Sequence, residues 1–347
     1  MTSDHGLQTT HDLTIQRFNL NPKSILIIKP GSLGDIIHTL PAVALLREAH
    51  PHAEITWLIN PELAPLLRGN PDVNHVYFLP RGELRGLGAP ASLLAWLKKT
   101  RQLRPDLALD FQGQLRSALI AKITGAKEIS GMSALAGATW FYDRVAEVDR
   151  RSHPVERYLK LSVRTGATVG KSLRCSVPSG DPLPRFDAHP PFVLLHPFAR
   201  GQDKSLSNAV IEEFCHTLAP TRVVVVGQTP NRMNTPENCI DLTRQTSLLQ
   251  LVWLIRVARF VVSVESGPMH IAAAVTGNLL SIHTWTDPRR IGPYNSDAWV
   301  WKHGQLLRIG ELETAKLRKH GRRFRRKDVA SVVELIRPFV PIDPMVA

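Results

Sequence analysis

Ser24-Ile25-Leu26-Ile27-Ile28-Lys29-Pro30-Gly31-Ser32-Leu33-Gly34-Asp35 is the stretch on which the fold turns. Residues 24–29 are an apolar run rich in β-branched side chains, and Pro30-Gly31 ends it. That is the pattern of a strand buried on both faces of a parallel sheet. Residues 30–34 read as a loop. Residues 36–49 (IIHTLPAVALLREA) resume with helical spacing, with Pro41 near the first turn. Working outward, strands are predicted at 54–59, 75–79 and 106–111, and helices at 61–68, 91–101, 114–123 and 155–164. Alternation of this kind predicts a parallel sheet covered by helices on both faces.

Residues 178–191 (PSGDPLPRFDAHPP) hold five prolines in 14 positions and exclude regular structure. They read as a linker. Beyond it the alternation returns. Strands are expected at 192–196, 222–226, 259–264 and 278–283. Helices are expected at 208–218, 246–257 (capped by Thr246 or Ser247), 267–275 and 328–337. The fold class is therefore α/β: two Rossmann-like domains, 23–177 and 192–327, facing each other across a cleft. A polar stretch at 1–22 reads as a flexible tail, and 328–347 as a C-terminal helix and tail.

The 347 residues carry 43 Lys+Arg against 30 Asp+Glu, a net charge of +13. Such a balance suits a polyanionic partner: a nucleotide, a nucleic acid or an anionic membrane surface. A hydrophobic fraction of 43% excludes a disordered chain. Three widely spaced cysteines form neither a zinc pattern nor a disulfide framework, and fit a reducing compartment. No apolar stretch of about 18 residues is present, and residues 1–22 lack a signal-peptide core.

Five stretches could carry chemistry. At the first strand's end, Gly31, Ser32 and Gly34 let a ligand approach the backbone, and Asp35 either faces the cleft or caps the helix. G-x-G-x-x-G is absent, which disfavours a nicotinamide. In VSVESGPMH (262–270), Glu265 could accept ribose hydroxyls, and the backbone at Ser266, Gly267, Pro268 and Met269 could hold a phosphate. His270 on its own reads as a structural histidine. In HPFARGQDK (196–204), Arg200 and Lys204 could clamp a pyrophosphate. TDPRRIGPY (286–294) is a shaped loop beyond a strand's carboxyl end, where open α/β sheets bind ligands. KLRKHGRRFRRK (316–327) puts eight cations in 12 residues, suited to anionic lipid or nucleic acid. There is no Asp-x-Asp, Walker A lysine loop, G-x-S-x-G or His-Glu-x-x-His, which disfavours metal-bound transferase, phosphohydrolase, esterase and protease designs.

The first four of these loops resemble glycosyltransferase family 9, the lipopolysaccharide heptosyltransferases. Gly31–Asp35 with Thr39-Leu40-Pro41-Ala42 is similar to the family's opening signature. DLALDFQGQLRS (106–117) resembles its Gln-Gly segment, HPVERYL (153–159) is also similar, SVESGPMHIAA (263–273) resembles its nucleotide loop, and 286–294 its Thr-Asp-Pro element. The resemblance spans about 23–339. It departs at Glu265-Ser266, where the family typically has Asp-Thr, and at Leu206-Ser207, where a Trp-Pro pair is usual.

The resemblance implies a GT-B fold, an acceptor-binding N-terminal domain and a C-terminal domain that binds the nucleotide sugar. It implies a nucleotide-diphospho-sugar donor, usually ADP-heptose, with inversion of configuration and neither metal nor cofactor. Asp35 would be the base on the acceptor hydroxyl. Lys204, Arg200 and the loop from Glu265 to His270 would hold the donor. Gly31, Ser32, Gly34, Gln112, Gly113 and Arg116 would form the acceptor side. The acceptor would be a polyanionic lipid A–core glycolipid. That places the chain in the cytoplasm, peripherally on the inner membrane, with no nucleic acid partner. Another GT-B enzyme using a different nucleotide sugar, as transferase or epimerase, is an alternative. A basic nucleic-acid-binding protein is a further one, resting on charge alone.

Overall fold

In the computed structural model, which describes residues 21–80, 89–133, 137–170, 172–229, 236–317 and 321–340, the opening apolar run is β1 (Ser24–Ile28). There follow α1 (Leu33–Ala49), β2 (Glu54–Ile59), β3 (His75–Phe78), α2 (Ala89–Arg101), β4 (Leu107–Asp110), α3 (Leu115–Ile123), β5 (Glu128–Met132), β6 (Arg144–Ala146) and α4 (Pro154–Arg164). The strands form one all-parallel sheet in the order β3-β2-β1-β4-β5-β6. β1 is central because Ile25, Leu26, Ile27 and Ile28 have no face to offer water: each is at most 1% exposed. Leu26 and Ile28 pack with Leu58, Ala108 and Ala118 in one core layer.

After the linker come β7 (Phe192–His196), α5 (Asn208–Leu218), β8 (Arg222–Val225), β9 (Cys239–Asp241), α6 (Leu248–Val257), β10 (Phe260–Val264), α7 (Gly267–Val275), β11 (Leu279–His283), α8 (Pro288–Ile291), β12 (Trp299–Lys302), β13 (Gln305–Arg308) and α9 (Val329–Ile336). The second sheet runs β13-β12-β11-β10-β7-β8-β9, parallel except for the β12–β13 hairpin. Without that hairpin strand the two sheets have the same order. Each starts in the middle, winds to one edge, returns, and continues to the other. That is the doubly wound Rossmann order, with a switch point beside its first strand. α9 buries Val329, Val332, Val333 and Ile336, a helical stripe, in the same core as Phe214 and Val225.

The chain divides into two compact units. The first comprises the described residues to 31, 38–64 and 70–176; the second 32–37, 65–69 and those from 177 on. Residues 178–191 carry no helix or strand. Among the described residues, no helix is long and apolar enough to cross a membrane. The tail expected at 1–22 falls outside the described residues except for its last two, as does 341–347 of the C-terminal segment.

Some elements differ from expectation. α1 begins at Leu33, so Pro41 lies inside the helix and not in its first turn. Residues 61–67 form a 3-10 helix, with Pro65 inside it. The sequence does not predict β5, β6, β9, β12 or β13, each of which is only three to five residues long. The β12–β13 hairpin turns at His303 (φ 55°) and Gly304 (φ 89°), the left-handed pair of a two-residue hairpin.

Candidate functional site

The first sheet's switch point lies between β1 and β4, so the loops after these strands are neighbours. Lys29 ties them together. It is 2% exposed, and its Nζ donates to the Phe111 carbonyl (3.0 Å) and the Tyr158 hydroxyl (2.7 Å). In the β1 loop, Asp35 Oδ2 accepts from the Ser32 N–H and the Ser32 hydroxyl, both at 3.0 Å. The carboxylate therefore caps α1. Ser32 is exposed, Gly31 and Asp35 half-buried and Gly34 buried.

In the β4 loop the organising group is Asp110, fully buried at the strand's last position. It accepts from the N–H groups of Gln112 (2.9 Å) and Gly113 (3.0 Å), from Ser117 Oγ (2.7 Å) and from the Tyr142 hydroxyl (2.7 Å). Burial pushes the Asp110 carboxyl above its ordinary pKa, and the four hydrogen bonds oppose that shift. Gly131 makes room for the Tyr142 ring: a Cβ there would meet it at 2.3 Å. The Gln112 and Gly113 amides thus serve Asp110 rather than a ligand. The Gln112 side-chain oxygen, by contrast, is buried without a hydrogen-bond partner among the described residues. Arg116 is exposed on α3.

The second sheet's switch point lies between β7 and β10, and its loops are joined by charge. Lys204 Nζ donates to Glu265 Oε1 at 2.9 Å. Glu265 Oε2 accepts from the Thr286 hydroxyl, which lies 3.0 Å from His283 Nδ1; His283 Nε2 is 2.7 Å from Ser281 Oγ. With His283 neutral, a single set of protons satisfies the whole chain. Ser281 donates to Nε2, His283 donates from Nδ1 to Thr286, and Thr286 donates to Glu265. This set keeps His283 neutral, in line with burial and the nearby Lys302, His270 and Lys204, which push its pKa down to about 3. His196, 7% exposed, is likewise pushed by burial to about 4, with Nδ1 at 3.2 Å from Ser266 Oγ.

Among the other predicted donor residues, Ser266 is the N-cap of α7 but makes no side-chain cap. Its hydroxyl is within reach of His196, Ser263 (3.3 Å) and the Val264 carbonyl (3.1 Å) instead. The first-turn amides of α7 are therefore not capped by that side chain. The expected row of N–H groups from Ser266 to Met269 has a gap, because Pro268 has none. Gly267 and Met269 supply theirs, and the Met269 side chain is fully buried. His270 is half-buried and Arg200 exposed.

In the basic stretch, Arg318 and Lys319 lie outside the described residues. Arg322 pairs with Asp328, Arg323 with Asp203, and Arg326 with Glu213 at 3.7 Å. Sequence reading passed over Asp110, and it did not give Ser281 and His283 a role. The signal for the latter pair was their i, i+2 spacing, which puts two polar groups on one face of an otherwise apolar strand.

The buried histidines should make the fold acid-labile. In the unfolded chain each takes a proton near pH 6.5; in the folded chain His196 resists until about 4 and His283 until about 3. Stability is full above pH 6.5 and falls as the pH drops through that value. Between pH 7 and pH 5 each histidine removes roughly 2 kcal/mol. The urea midpoint should drop markedly over that interval, and His283→Gln should flatten the slope. A midpoint that does not move would show that these rings are charged in the fold.

Comparison with known proteins bears on this geometry. The chain is 26% identical over 300 residues to lipopolysaccharide heptosyltransferase 1 of Salmonella typhimurium, covering 79% of this chain and 92% of that protein. The structure of E. coli heptosyltransferase WaaC with ADP is similar, with a TM-score of 0.69 and 21% identity over 90% of this chain and 99% of that one. E. coli ADP-heptose lps heptosyltransferase II gives a TM-score of 0.71 at 21% identity, over 91% and 98%. The fold is thus the GT-B fold of these enzymes. The model of glycosyltransferase family 9 (heptosyltransferase) matches residues 94–307, taking in the Gln112 loop, Lys204, Glu265 and Thr286. The chain belongs to that family and is a glycosyltransferase.

Proposed function

We propose that the chain moves a heptose from ADP-heptose onto a lipopolysaccharide core acceptor, with inversion at the transferred carbon and without a metal ion. The observation that carries this reading is the Lys204–Glu265–Thr286–His283 chain at the second switch point, beside the α7 amides. An ammonium has three donors, and one of them goes to Glu265. A diphosphate takes the others, and the Gly267 and Met269 amides add donors at a helix N-terminus. Fixed positive charge of this kind stabilises a departing diphosphate in the role a divalent cation would otherwise fill. The names of the relatives, two of which carry ADP or ADP-heptose, support the donor. Asp35 serves as the base that takes the acceptor's hydroxyl proton.

The acceptor is a glycolipid presented at an anionic membrane face, to which exposed Lys316, Arg325 and Lys327 contribute attraction. Transfer from ADP-heptose to a deacylated core acceptor tests the whole reading. Turnover should survive EDTA; a strict need for Mg²⁺ or Mn²⁺ would remove the metal-free part. Lys204→Ala should weaken ADP binding by about 1.5–3 kcal/mol, the range for hydrogen bonds to charged groups. Titration calorimetry measures this directly, and an unchanged affinity would place Lys204 outside the diphosphate site.

A further inference from the structure

Trp285 stands between two anchored residues. The Thr284 carbonyl accepts from Lys302 Nζ (2.9 Å) and from the Arg322 N–H (3.3 Å), and the Thr286 hydroxyl is held by Glu265. Its backbone is therefore pinned on both sides, yet the residue is 51% exposed. The Gly321 backbone lies against the indole: a Cβ on Gly321 would meet the ring at 2.0 Å. Trp285 lines a cavity of about 470 Å³ together with Arg200, Gly201, Asp203 and Lys204. Asp203 is ion-paired with Arg323, so its charge is balanced where an anion would enter.

We infer that Trp285 is the platform for the transferred sugar ring of the donor, and so a specificity-determining residue. The apolar C–H face of the ring lies on the indole, while the phosphate bonded to that sugar is taken by Arg200 and Lys204. This rests on the donor reading above and goes beyond it, by assigning which part of the donor the cavity holds. Spacing within the donor separates the two candidate rings. A nucleobase is separated from its diphosphate by a ribose, whereas the transferred sugar is bonded to the phosphate itself. Indole and both cations line one cavity, so a ring stacked on the indole lies beside an anion held by Arg200 and Lys204. Large rigid aromatic side chains with one face available are suited to such contacts because little rotamer freedom is lost on binding. Arg200 adds a planar fork that matches phosphate oxygens.

The test separates base from sugar. Binding of ADP and of ADP-heptose, in the absence of acceptor, is measured by calorimetry on the full chain and on Trp285→Ala and Trp285→Phe. In Trp285→Ala the affinity for ADP-heptose should fall about tenfold or more while that for ADP stays within about twofold. Trp285→Phe should recover most of the loss. An equal fall for both ligands would put the base on the indole and overturn the inference. Unchanged affinity for both would remove Trp285 from the ligand site and also overturn it. If the unsubstituted chain bound neither ligand, the donor reading itself would fail. Should Trp285→Ala lose its thermal midpoint, Trp285→Leu, which still covers Gly321, is read by the same criterion.

Discussion

Asp35→Asn should lower turnover by about 10²–10⁴-fold while leaving ADP affinity within a few fold. The substitution is chosen because the structure gives Asp35 a second task. Its Oδ2 caps α1 through the Ser32 amide and hydroxyl. An asparagine carbonyl oxygen accepts the same N–H, so the cap survives, but an amide cannot take up a proton at neutral pH. Asp35→Ala removes both roles and should cost roughly 1 kcal/mol of stability in addition. Steady-state kinetics beside urea unfolding reads the two effects separately. An Asp35→Asn enzyme with unimpaired turnover would reduce Asp35 to a capping residue.

Asp110→Ala should destabilise the chain by about 3–5 kcal/mol, as expected when a buried acceptor shared by several donors is deleted. Four donors converge on this carboxylate: the Gln112 and Gly113 amides, Ser117 and Tyr142. Alanine would take the acceptor from the two amides and the Tyr142 hydroxyl at a buried position, while Ser117 Oγ can turn to the Gln114 carbonyl at 2.8 Å. Gly113 has φ +65°, and its amide is part of what keeps the loop in that turn. The loop carrying Gln112 should therefore loosen even where the fold survives. Denaturant titration measures the first effect, and hydrogen exchange of the Gln112 and Gly113 amides the second. A loss under about 1 kcal/mol would mean that water or rearrangement supplies the donors.

The parallel sheets were legible because their central strands, such as β1, β7 and β10, are apolar on both faces. β7 and α5 match their predicted ranges to the residue, and α7 does as well. Short strands such as β9, of three residues, leave no period to detect. The site was legible in part. Lys204 and Glu265 stand out as charges at the ends of βα loops, yet nothing in the sequence says that they pair with each other across 61 positions. Pairing is a property of strand order, and strand order is set by long-range packing. Asp110 was hidden for a different reason: inside DLALDF it looks like the polar end of a strand, and its four donors come from residues up to 32 positions away.

The matching order of the two sheets has a consequence for how this chain can change over time. The groups with chemical tasks gather at the ends of a few strands, chiefly β1 and β4 in one sheet and β7, β10 and β11 in the other. Every other position answers mainly to volume and polarity, and interiors accept volume-conserving exchange at modest cost. A lineage can therefore replace most of its residues one at a time while the framework that aims those strand ends stays put. An identity of 21% alongside a TM-score of 0.71 is what such drift leaves behind.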